Sequence, residues 1–164
     1  MLLWFVGMSL VLAWNVFRDP ALDHRLLVLG AVLPDLVEAP FGRVGPLHSL
    51  VGATGVLAAV MVATVGRRLL RRRLLAIAIG VFFHLVLDGV WATSQAFWWP
   101  LQGLAFDDVP IPALDRSPVV AVVLEAAGLA AVVWAWFRFG LTDADRRRRF
   151  LRDGHVDRAI TDPR

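Results

Sequence analysis

Six ionisable side chains lie where the surrounding sequence is almost wholly apolar: Asp35, Glu38, His48, His84, Asp88 and Glu125. His84 and Asp88 form a His-x-x-x-Asp pair in HLVLD. The i, i+4 spacing puts both on one helix face, about a turn apart. Asp35 and Glu38 form Pro-Asp-x-x-Glu, an i, i+3 pair if the backbone is helical. His48 opens an apolar run in GPLHSL, and Glu125 stands roughly two turns into another. Imidazole and carboxylate are good ligands for zinc, and carboxylates also suit manganese or magnesium. Helix bundles build metal sites from such donors on separate helices. A bound divalent ion makes a nucleophile of water near neutral pH, and a carboxylate outside the ligand set can serve as general base.

Blander readings exist for each residue. His84 and Asp88 also suit a hydrogen-bonded pair that packs the bundle. Asp35 after Pro34 suits a cap on a broken helix, His48 an interfacial histidine, and Glu125 a structural hydrogen bond. His24 and His155 fall on a loop and on the tail and read as solvated. Trp98 and Trp99 in AFWWPL read first as an aromatic belt and second as a substrate platform. Ser49 follows His48, but no third partner stands at useful spacing for a serine-hydrolase triad. No P-loop or dinucleotide fingerprint is present.

The elements that must position these residues are hydrophobic. The chain has 164 residues, of which 58% are hydrophobic and 19% charged, and it has no cysteine. An ordinary soluble domain is ~45–50% apolar and ~25% charged. The excess points to a membrane protein and excludes a disordered chain or a disulfide scaffold. A spanning helix needs ~20 mostly apolar residues. The expected fold is therefore an all-α, polytopic membrane helix bundle with about five segments: 2–17, 26–40, 47–65, 74–92 and 119–139. The second segment contains Pro34, Asp35 and Glu38 and is expected to be broken or re-entrant. Residues 1–139 form the membrane-embedded helical domain, and 140–164 a charged cytoplasmic tail with a short helix that frays.

All 17 basic residues are arginine. Five lie in GRRLLRRR between the third and fourth segments, and four more are Arg146 to Arg149. Cytoplasmic loops collect Lys and Arg. With both clusters inside, Met1 is outside and the C-terminus is cytoplasmic. Fifteen arginines then fall inside and two, Arg43 and Arg116, outside. The outer 93–117 loop carries Asp107, Asp108 and Asp115. All six ionisable residues lie toward the outer end of their segments. An arginine run after a last span also suits anionic lipid, at ~1 kcal/mol per near-surface arginine. Membrane lipid is thus the expected partner, nucleic acid is not, and the oligomeric state is open.

LGAVLPDLVE, the LHSL that follows and HLVLDGVWATSQAFWWPL together resemble the YdjM-like family of bacterial inner-membrane, metal-dependent hydrolases. That family shows a Leu-Pro-Asp element, a His-Ser pair, and a His-x-x-x-Asp helix followed by Trp-Pro, in this order. The match covers roughly residues 26–102. It departs where members continue Leu-Pro-Asp with Asp and His, since here Leu36, Val37 and Glu38 follow. Members often carry an early histidine; here 2–17 has none, with Phe5 among its residues. The resemblance implies an all-helical hydrolase of the bacterial inner membrane with a metal near Asp35, His48, His84 and Asp88. The His-x-x-x-Asp helix is also similar to one in zinc phospholipase C, which implies phosphoester substrates.

The leading expectation is a metal-dependent hydrolase, most readily a zinc enzyme, acting at the outer leaflet on a phosphoester-containing lipid or lipid-linked substrate. Asp35, His48, His84 and Asp88 hold the metal, Glu38 at a water-facing edge is the general base, and Glu125 orients a histidine N–H from behind. Trp98 and Trp99 would contact substrate. Two other classes stay open: an ion- or proton-coupled carrier, and a non-catalytic membrane scaffold with a structural metal.

Overall fold

The structure, a computed structural model, describes residues 1–93, 95–101, 103 and 110–160. Asp107, Asp108 and Arg164 lie outside the described residues. The described chain is helical throughout, with no strand. The long elements are α1 (Leu2–Phe17), α2 (His24–Glu38), α3 (Leu50–Ala63), α4 (Arg68–Asp88) and α7 (Pro118–Arg138). Short helices α5 (Val90–Thr93), α6 (Pro112–Asp115) and α8 (Ala144–Asp153) complete the order. Single 3₁₀ turns at Ala39–Phe41 and Pro46–His48 link α2 to α3.

α2 packs along α4, and α1 along α7, with α1 joining the two pairs through α2 and α4. α3 packs on α4, where Ala53 joins Val81 and Leu85 with Leu33 of α2 against them. Glycines permit these close approaches. A Cβ on Gly30 would overlap the Ile77 carbonyl, and one on Gly80 the Leu27 carbonyl. Gly7 and Gly128 meet in the same way between α1 and α7. Small residues that let helix backbones touch are the usual device of membrane bundles.

The five expected segments all appear as helices, but only in part as spans. Among the described residues one helix, Pro118–Arg138, is long and apolar enough to cross a membrane. Leu2–Phe17 and Leu50–Ala63 are apolar but shorter. α4 begins at Arg68, so its arginines occupy its first turns instead of a loop. Arginine and leucine are good helix formers, which explains the earlier start. α2 is not broken: it runs through Pro34 for 15 residues. Packing on α4 keeps the helix intact where proline removes one backbone donor.

The tail packs on the bundle as far as residue 160; the fraying expected toward Arg164 lies outside the described residues. Leu141, Phe150, Val156 and Ile160 join a core with Leu10, Trp14, Leu27 and Phe139. Asp23 is fully buried and caps α2, accepting from the Arg25 and Leu26 amides. The Arg25 and Arg73 guanidinium groups also donate to its carboxylate. Burial opposes charge on Asp23, but these donors outweigh it and hold its pKa below the usual carboxylate range. His24 is buried as well, contrary to the solvated reading. Its amide donates to the Gly154 carbonyl, and its ring lies edge-on to Phe139. Arg25 Nη1 donates to the carbonyls of Leu151 and Arg152, closing the C-terminal end of α8.

Candidate metal centre

The arginine-rich start of α4 and its histidine-bearing end lie at opposite ends of the bundle. At the second end α2 contributes Asp35 and Glu38, α4 contributes His84 and Asp88, and the 3₁₀ turn before α3 contributes His48. His48 and His84 are fully buried, and their rings meet edge to face. His48 Nε2 lies 3.2 Å from His84 Nε2. Asp35 Oδ1 is 3.4 Å from His48 Nε2 and 3.6 Å from His84 Nε2. These three residues form a group able to hold a metal ion. Asp88 Oδ2 stands 3.8 Å from His48 Nε2.

Hydrogen bonds behind the rings determine what faces the centre. Glu38 Oε2 lies 2.6 Å from His48 Nδ1, and the Ala31 carbonyl oxygen 2.7 Å from His84 Nδ1. Both partners only accept, so each Nδ1 carries the proton. A neutral ring then presents its Nε2 lone pair inward. With both rings neutral, two such lone pairs face each other across 3.2 Å. Asp35 Oδ1 and Asp88 Oδ2 are buried beside them with no hydrogen-bond partner among the described residues. Crowded acceptors of this kind are satisfied by a proton on one Nε2 or by a cation between them.

Charge and spacing agree with a divalent one. Against Asp35, Glu38 and Asp88, one guanidinium is paired with the group among the described residues: Arg116, whose Nη2 lies 3.3 Å from Asp88 Oδ1. With neutral imidazoles the group carries two uncancelled negative charges. Zinc bonds of ~2.0–2.1 Å in tetrahedral geometry place neighbouring ligand atoms ~3.4 Å apart. The separations of 3.2, 3.4 and 3.6 Å bracket that edge.

Glu38 is not at a water-facing edge. It is 5% exposed. Its Oε2 accepts from the Gly45 amide and its Oε1 from the Leu47 amide, each at 2.6 Å. The same carboxylate therefore ties down the 42–48 loop and fixes the His48 ring. Glu125 sits elsewhere than expected. Its Oε2 accepts from the Leu3 amide at 2.9 Å, and its Oε1 is 3.6 Å from the Met1 amine, so it closes the first turn of α1. Trp98 is 40% exposed and packs edge-on to Phe97. Neither Trp98 nor Trp99 lines the cavity beside Asp35.

Two contributors were not foreseen. Arg116 donates to both the carbonyl and the carboxylate of Asp88, holding Oδ2 toward His48. Its isolation in the acidic 93–117 loop was the available signal. Phe5 stacks on His84 with centroids 4.1 Å apart and seals that ring from the side of α1. The sequence marks it only as a residue of the first segment, which lacks the early histidine of the resembling family.

Compared with protein-family models, with curated proteins and with solved structures, the chain matches none.

Proposed function

We propose that this protein is a membrane-embedded, metal-dependent hydrolase of the kind its motifs resemble, acting near the extracytoplasmic face on a phosphoester-containing lipid. The observation that carries the reading is the convergence of the His48 and His84 Nε2 atoms with the carboxylates of Asp35 and Asp88 at one end of the bundle. His48, His84 and Asp35 would hold the ion, with Asp88 as fourth donor and zinc the best fit to this N/O set. What a divalent ion supplies at such a site is Lewis acidity and a nucleophile at neutral pH.

The side chains divide the remaining work. Glu38 and the Ala31 carbonyl keep both rings in the tautomer that offers Nε2. Arg116 holds Asp88. Asp35 is the one donor whose side chain keeps appreciable exposure, 23%. It is therefore the carboxylate placed to accept a proton from, or orient, an incoming group. Phe5 covers the His84 ring from the side of α1.

Apolar side chains supply the membrane part of the proposal. Leu29, Val62, Leu69, Val86 and Val122 are exposed on α2, α3, α4 and α7. A lipid phase accommodates such a surface on every face of the bundle. On the arginine distribution, the metal end would face outside and the α4 start and α8 the cytoplasm. A carrier needs polar groups along a path through both halves of the bundle, and this cluster stays at one end.

Metal content of the purified protein tests the proposal. Wild-type protein, stripped with chelator and reloaded, should bind about one zinc per chain. His84→Ala should bind none and lose phosphodiesterase activity with it. Full metal content in His84→Ala would refute the assignment.

A further inference from the structure

The metal donors are themselves closed off. His48 and His84 are fully buried and Asp88 is 2% exposed, which leaves Asp35 as the approach. Asp35 lines a cavity of about 290 Å³ between the start of α1, the second half of α2 and the 111–114 segment. Among the described residues its side chain is the one ionisable side chain in that lining, and the Met1 amine beside it is turned to Glu125. Leu2, Phe5, Val32, Leu36, Ile111 and Leu114 make most of the wall. Leu2, Leu36 and Leu114 are at least 60% exposed, so the rim is apolar as well as the wall. A larger hollow of about 490 Å³ at 37–47 meets Glu38, whose oxygens are already taken by three N–H donors.

An apolar rim with one carboxylate at its inner end sorts substrates by polarity. A small water-soluble ester would shed its hydration to pass leucine side chains that give no hydrogen bond back. A lipid brings its chain from the bilayer already dehydrated and presents only its polar group to Asp35. Size sorts them too. Pockets that enclose a whole drug-sized ligand hold ~300–1,000 Å³. A cavity at the low end takes a chain but not a chain and a headgroup together.

We infer that the substrate is an amphiphile that enters sideways from the bilayer, lays one apolar chain in the cavity between α1, α2 and residues 111–114, and rests its hydrolysable polar group against Asp35. The inference rests on the hydrolase reading and specifies which part of the substrate the protein recognises. Chain occupancy, and not headgroup contacts, then sets selectivity, and Leu36 and Leu114 guard the entrance.

Photolabelling of the full-length, zinc-loaded protein in lipid nanodiscs tests this without turnover. The probe is a single-chain alkyl phosphonate, which is not hydrolysed, with a diazirine at the chain end, and labelled peptides are mapped by mass spectrometry. Labelling should concentrate on residues 32–39 and 111–114. It should fall by roughly tenfold or more in Ala39→Trp and Leu114→Trp, which fill the cavity from exposed positions. Both variants should reload with metal as wild type does, which also shows that they are folded. A chainless aryl phosphate should not compete. Labels spread evenly over α3 and α7, unchanged labelling in both tryptophan variants, or full competition by the aryl phosphate would each overturn the inference. The two ideas fail separately: metal retained in His84→Ala removes the hydrolase reading, whereas metal binding without cavity labelling removes only the substrate assignment.

Discussion

Replacing Glu38 by glutamine separates an anchoring role from a proton-transfer role. The native carboxylate accepts from the Gly45 and Leu47 amides and from His48 Nδ1, all at 2.6 Å. Glutamine keeps the volume but has one acceptor and an NH₂ in place of the second oxygen. Turned so that its oxygen faces Gly45 and His48, it sets NH₂ against the Leu47 amide. Turned the other way it opposes two donors, so the first orientation should prevail. An unsatisfied buried Leu47 N–H costs ~1–3 kcal/mol, and each remaining bond loses about 1 kcal/mol on passing from a charged to a neutral acceptor. The expected destabilisation is about 3–5 kcal/mol, a large part of a typical ~5–15 kcal/mol stability. It should be larger with metal than without, because the metal-free group sheds one of its uncancelled negative charges. Metal affinity should fall ~10–100-fold, as for other carboxylates that orient a ligating histidine. Thermal unfolding in detergent with and without zinc, and competition with a chromophoric chelator, measure both effects. A general base would instead leave affinity intact and lower turnover alone by ~10²–10⁴. Wild-type affinity with a wild-type melting temperature would refute the anchoring argument.

The opposite end of the bundle makes a pH-dependent prediction. Asp23 has a folded pKa below its unfolded value, so its contribution is complete above the unfolded value of ~3.9 and is lost as pH falls through the lower folded one. Amide exchange in 150–156 should stay slow at about pH 5, and become fast at that pH in Asp23→Asn, which has one carboxylate oxygen fewer for Arg25 and Arg73. Gly7→Ala and Gly80→Ala introduce the same kind of backbone clash, at α1–α7 and α2–α4 respectively. Both should lower the melting temperature, but chelator competition should show lost zinc affinity only in Gly80→Ala. Leu69→Cys and Leu101→Cys, each at an 84% exposed position in a chain free of cysteine, report orientation. An impermeant maleimide on intact cells should label Leu101→Cys and not Leu69→Cys; the reverse pattern would invert the topology.

Residue type and depth made the donors readable before the fold. Few positions in an apolar chain tolerate His or Asp, and those that do stand out by their energetic cost. The last helix was equally plain, expected at 119–139 and found at Pro118–Arg138. The roles were harder to read because they depend on partners that spacing does not reveal. Glu38 follows Asp35 by three residues, which suggests a shared task, yet it serves an amide pair and a ring seven to ten residues on. Glu125 answers Leu3, which is 122 residues away, and His24 answers Gly154, which is 130 away. His24 looked solvated because it fell on a loop, and the tail that covers it showed no core of its own. Phe150, Val156 and Ile160 need no core of their own, since they borrow that of α1, α2 and α7. Arginine runs misled in the same direction: charge marked a loop where helix propensity and the Thr64 contacts of Arg71 support the first turns of α4.

The packing of α2 on α4 and the chemistry of the centre are one arrangement. Gly80, His84 and Asp88 recur every four residues and so share a face of α4. Gly80 lets that face touch α2 at Leu27 and Ala31, and Gly30 returns the contact at Ile77. One turn beyond Gly80 the same approach brings His84 Nδ1 to the Ala31 carbonyl, which sets its tautomer. One turn beyond Ala31, Asp35 reaches His84 Nε2. A larger residue at either glycine would separate the helices toward the ordinary ~8–10 Å and leave the carbonyl too far to orient the ring. His48 arrives by different means, on a loop that would be free to move without Glu38. The centre therefore has a rigid half, set by helix–helix contact, and a tethered half, set by one buried carboxylate. A bound ion would join the two halves, so loading with metal should stabilise the α2–α3 connection more than the α2–α4 pair.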